Sequence, residues 1–161
     1  KHGKQTDRIC ELLALCKSAD ADELQAYMKE IMLIGTYIKR SANLYFLGKE
    51  YEMLPQQELR LTFDESVRAL NAGGTECGVA YLTTRPMRTS EVARLLELVK
   101  DIVGMTRGGL HSLFISLSDT EMNLSVECEG DLLEAVSSKV TVCMEEGLWL
   151  IRTQIGGRDN G

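Results

Sequence analysis

The chain has 161 residues, 44% of them hydrophobic and only two of them proline, which is apolar material for a folded core and excludes a disordered segment. A net charge of −6 and a pI near 5.0 exclude the clustered Lys and Arg that hold a phosphate backbone, so no nucleic-acid partner is expected. No apolar run approaches the roughly 18 residues that cross a bilayer, so no membrane contact is expected within the chain.

Residues 4 to 18 carry Ile9, Leu12, Leu13, Leu15 and Cys16, a helical stripe. The run Ser18-Ala-Asp-Ala-Asp-Glu23 supplies capping residues and early acids, suited to a turn and a new helix start. Leu24, Tyr27/Met28, Ile31, Ile34, Ile38, Ala42 and Tyr45 then recur at steps of three and four, the seam of a helix in a coiled coil or four-helix bundle. A helix over 22–49 is about 40 Å long and the first only about 25 Å. The excess stripe needs cover, from an upstream continuation of the first helix or from a second copy. Both answers predict a dimeric hairpin bundle. Because the first residue is Lys rather than Met, a longer parent chain is expected.

After residue 52 the pattern changes. Pro55 opens an amphipathic helix with Leu59, Phe63, Val67 and Leu70 inward, stopped at Asn71-Ala-Gly-Gly74. Residues 77–84 read as a strand. Arg85-Pro86 breaks the chain, Thr89 or Ser90 caps, and 91–103 reads as a helix with Val92, Leu95, Leu96, Val99 and Val103 inward. Strands are expected at 113–117 and 123–128 across the polar turn 118–121, then a short helix over 131–138. A last hairpin, 140–144 with 148–155, turns at Glu145-Glu-Gly147. The expected class is α+β: an N-terminal antiparallel helical hairpin, then an antiparallel sheet backed by helices as a two-layer α/β sandwich. Cys10, Cys16, Cys77, Cys128 and Cys143 form no C-x-x-C pair and are expected as free, buried, apolar side chains in a reducing compartment.

Three segments carry a resemblance. Ile34-Gly-Thr-Tyr-Ile-Lys-Arg-Ser-Ala-Asn-Leu44 resembles the second dimerisation helix of bacterial sensor histidine kinases. Leu95-Leu-Glu-Leu-Val-Lys-Asp-Ile-Val103, followed by Thr106-Arg-Gly-Gly109, is similar to the helix bearing that family's E-x-x-x-N signature. Val126-Glu-Cys-Glu-Gly130 stands where the family has its V-x-D-x-G adenine loop. The resemblance implies a cytoplasmic core of such a kinase, with a dimerisation hairpin at 1–52 and a degenerate ATPase-like α/β domain at 53–161. It also implies ATP and Mg2+ as cofactors, a response regulator as partner, and a homodimer.

The departures matter as much. Asp101 replaces the signature Asn that holds Mg2+, and is still a hard oxygen ligand. Cys128 replaces the Asp that accepts from the adenine base, which a thiol does poorly. After Gly130 the glycine-rich turns and the lid over the phosphates are shortened or missing. Glu97 and Asp101, four apart, share a helix face, either as a general base beside a Mg2+–nucleotide site or as a solvated acidic edge beside Lys100. Arg107-Gly-Gly109 suits a phosphate loop or a helix stop. By resemblance His2 is the candidate phosphoacceptor, though Gly3 follows it and Asp7 is the nearest acid that could orient its ring. His111 reads as an ordinary surface histidine. ATP binding is expected to be weak or lost. The alternatives are a nucleotide-independent histidine phosphotransferase or pseudokinase, for which a sporulation phosphotransferase built on the same two parts is the precedent, and a dimeric regulatory module without phosphoryl chemistry.

Overall fold

The computed structural model describes residues 2–106, 109–132 and 140–156. Helix α1 (Gly3–Cys16) and helix α2 (Ala21–Glu50) form an antiparallel hairpin. Asp20 caps α2 by accepting from the Glu23 N–H at 2.8 Å, with Asp22 and Glu23 in the positive first turn. The 30 residues of α2 run as one unbroken rod. Arg8 ties the hairpin shut with two bonds to Glu30, at 2.9 and 3.1 Å.

Strand β1 (Met53–Leu54) follows, then α3 (Gln56–Ala72), β2 (Glu76–Leu82), β3 (Met87–Arg88), α4 (Thr89–Met105), β4 (Leu110–Ser118), β5 (Glu121–Cys128), β6 (Val140–Glu145) and β7 (Leu148–Gln154). Pro55 sits at the cap of α3, one residue before the first helical position. Beyond the other end Gly74 takes φ +93°, a conformation that disfavours a side chain. Asn71 then binds both backbone groups of Cys77, which splints α3 to β2.

The main sheet has the order β2-β4-β5-β7-β6. It is mixed, not antiparallel throughout as the sequence reading had it, because β2 and β4 are parallel. The cause is α4: a helical crossover between two neighbouring strands returns the chain to the end it left, so they align in the same direction. The pair β1–β3 forms a separate two-residue ladder with too few positions to show alternation in the sequence. The turn between β6 and β7 places Glu146 at φ 51° and Gly147 at φ 84°, the geometry of a tight two-residue hairpin. Most of the segment expected as a short helix, 131–138, lies outside the described residues.

One face of the sheet is apolar and covered. Leu113, Ile115 and Leu117 of β4, Met122, Leu124 and Val126 of β5, and Trp149 and Ile151 of β7 are buried with Leu59, Phe63 and Leu70 of α3 and with Val92, Leu95, Leu96, Val99 and Ile102 of α4. This core extends onto α2 through Leu44, with Leu33, Tyr37 and Leu47 packed against it.

That contact adds a second stripe beside the expected seam. The α2 face turned to α3 and α4 runs Leu33, Tyr37, Arg40, Leu44, Leu47. The predicted stripe keeps Leu24, Met28 and Tyr45 40%, 47% and 58% exposed. Within one chain, α2 therefore has one face seated on the sheet layer and another still open. The cysteine expectation is also corrected in part: all five are free, but only Cys77 is buried, while Cys10 and Cys143 are exposed.

Candidate functional site

Where the hairpin meets the ends of α3 and α4 lies a cleft of about 920 Å³. Leu33, Leu70, Leu96, Val99 and Val103 give it an apolar floor, and Lys4, Arg8, Lys29, Lys100 and Asp101 bring charge to its walls. Tyr37 lines it from α2.

His2 stands at the cap of α1, where its carbonyl accepts from the Thr6 N–H and hydroxyl. Its ring meets Tyr37 edge-to-face, with centroids 6.0 Å apart and planes at 85°. Nδ1 is buried without a hydrogen-bond partner. The same Tyr37 ring carries the Lys100 ammonium 5.0 Å from its centroid, and Lys100 holds the Asp101 carboxylate at 3.0 Å. Burial alone would lower the Lys100 pKa. The hydrogen bond and charge of Asp101, with smaller pulls from Tyr37 and Glu97, outweigh burial and hold it above its ordinary value.

The other candidate residues stand apart from this corner. Glu97 is exposed one turn before Asp101 and does not line the cleft. Cys128 ends β5 opposite Leu110, half-buried, and burial raises its pKa, so the thiol stays protonated and is a poor acceptor. Gly130 occupies φ +106°, which explains a glycine there by backbone geometry. Gly109 packs against the next turn, since a Cβ on it would stand 3.2 Å from Glu129 Cβ. Its carbonyl accepts from the Glu129 N–H at 2.9 Å. Arg107 and Gly108 lie outside the described residues. His111 is exposed and 3.7 Å from Glu129.

These residues fit Mg-ATP poorly. Asp101, expected at the metal position, is engaged by Lys100, and Cys128, expected at the adenine position, is a thiol whose pKa burial raises. Neither Cys128 nor Gly130 lines the cleft that holds Asp101, and among the described residues no three His, Cys, Asp or Glu side chains gather as metal ligands.

Sequence reading missed Tyr37 and the buried Arg40, which meets Glu65 of α3 at 2.9 Å. The signal was present: Leu33, Tyr37, Arg40, Leu44 and Leu47 have the same three-and-four spacing as the seam chosen instead.

No family model matches the sequence, and no curated protein matches it. Solved structures do. A bacterial phosphotransferase superposes with a TM-score of 0.51 at 12% identity, covering 92% of this chain and 87% of its own. The histidine kinase AdeS of Acinetobacter baumannii gives 0.38 at 12% identity, over 95% of this chain and 94% of its own. The histidine kinase ThkA, solved in complex with the response regulator TrrA, gives 0.37 at 15% identity, over 96% of this chain and 61% of its own. At such identity the likeness to the phosphotransferase is one of fold. The shared fold is α+β, helices followed by a mixed five-stranded α/β layer.

Proposed function

We propose that the chain is the cytoplasmic part of a histidine-kinase-like two-component signalling protein that exchanges a phosphoryl group between His2 and a response regulator and no longer depends on ATP. The hairpin, residues 1–52, is its dimerisation unit, and residues 53–161 are a degenerate ATPase-like layer. The observation that carries this reading is the contrast between two sites. His2 has its ring set edge-to-face on Tyr37 with Nδ1 buried, while a thiol, Cys128, stands in place of the acceptor that adenine needs. Phosphoryl transfer depends chiefly on positioning and charge neutralisation, so loss of the base contact disables a kinase but not a phosphotransferase.

Incubation with a radiolabelled, phosphorylated receiver domain tests it. Label is expected on the chain and is expected to vanish in His2→Ala. Label persisting in that variant removes His2 from the account. Calorimetric titration with Mg-ATP is expected to show no binding in the micromolar range, and micromolar affinity would restore the kinase reading. The open apolar face of α2 favours a second reading, a dimeric regulatory module, which predicts a stable dimer with no label at all.

A further inference from the structure

Tyr37 touches two groups of opposite origin: the His2 imidazole from the hairpin and the Lys100 ammonium from α4. We propose that Lys100 is the charge partner of phosphorylated His2, positioned for it by the Tyr37 ring. This rests on the reading of His2 as the phosphoacceptor and adds the residues that would hold the product.

The chemistry at His2 leaves a charge to be met. In the transfer, the bond between phosphorus and the aspartyl carboxylate of the receiver domain breaks, and the carboxylate departs with the electron pair. A bond from His2 Nε2 to phosphorus forms, and Nδ1 carries the ring proton. The phosphoryl group brings about two negative charges to a helix cap whose own side chain accepts no backbone N–H. Lys4 lines the same cleft but is exposed, whereas Lys100 is half-buried.

Lys100 is the restrained cation. Its side chain is only 27% exposed, and it lies across the ring that His2 abuts. Asp101 competes for it with a single charge from an exposed carboxylate, whereas the phosphoryl group offers two, and attraction scales with charge. Four rotatable carbons let the ammonium turn from Asp101 toward the phosphoryl group without moving α4. The arrangement links the layer that has lost its nucleotide contacts to the residue that carries the phosphoryl group.

The test uses the whole chain and a phosphorylated receiver domain, following both the transfer rate and the half-life of the phosphohistidine. Lys100→Gln is expected to shorten the half-life or slow the transfer roughly three- to fivefold, the scale of a partly exposed ion pair. Lys100→Arg is expected to restore it. Tyr37→Phe, which keeps the ring, is expected to behave as wild type, and Tyr37→Ala as Lys100→Gln. The Lys100 effect should fade as salt rises, which a purely structural role would not produce. Unchanged half-life and rate in Lys100→Gln would overturn the proposal while leaving His2 as acceptor. Absence of label on the wild-type chain would overturn the underlying reading instead.

Discussion

Asp119 shows how a single side chain can fix a loop. It sits in the turn between β4 and β5 and accepts from the backbone N–H groups of Thr84 (2.9 Å) and Arg85 (3.2 Å) and from the Thr84 hydroxyl. These bonds favour the ionised form, with those from Thr84 the largest, and hold the carboxyl below its ordinary value of 3.8. A lowered pKa in the folded state means that the stabilisation is complete above pH 3.8. It is lost as pH falls through the folded value, because the unfolded chain takes up the proton first. Asp119→Asn is therefore expected to make acid unfolding below pH 3.8 shallower than in wild type, and also to lower stability at neutral pH. Circular dichroism across a pH series checks both. The clamp was not legible in the sequence, where residues 118–121 read only as a polar turn, because its partners lie about 35 positions away.

At the scale of elements, the hydrophobic periods located the four helices and the strands of the main sheet to within a few residues. What they could not supply was which of two stripes on α2 faces inward. Both obey the same spacing, and the choice is made by the volume that α3 and α4 present, a tertiary fact absent from local pattern. Leu44, 2% exposed, belongs to the inward stripe, so Leu44→Ala is expected to cost about 2–5 kcal/mol in urea unfolding. The parallel pairing of β2 with β4 was hidden for a similar reason: periodicity marks a strand but not the direction of its neighbour. The site was legible as individual residues rather than as an arrangement. His2 and Asp101 each attracted notice by type, yet the ring that brings His2 to the neighbour of Asp101 comes from Tyr37, whose stripe shares its spacing with the predicted seam.

For the whole molecule, the open face of the hairpin needs cover. Leu13, Leu24, Met28 and Met32 lie 52%, 40%, 47% and 52% exposed on α1 and α2. Large apolar side chains left open on a helical pair are ordinarily covered by another copy or a partner. Light scattering is expected to give the mass of two chains. The double substitution Met28→Glu with Met32→Glu is expected to give one chain while changing monomer stability by no more than about 0.5 kcal/mol. A wild-type monomer at high concentration would remove the dimeric hairpin from the account. The short ladder β1–β3 fastens the hairpin to the layer behind it. It lies where α2 ends and α4 begins, and it is reinforced there: the Thr89 N–H binds the Glu52 carbonyl at 2.9 Å and the Thr89 hydroxyl binds the Tyr51 carbonyl at 2.8 Å. With its tail riveted to the head of α4 in this way, α2 cannot tilt away from the sheet layer at that end without breaking both Thr89 bonds.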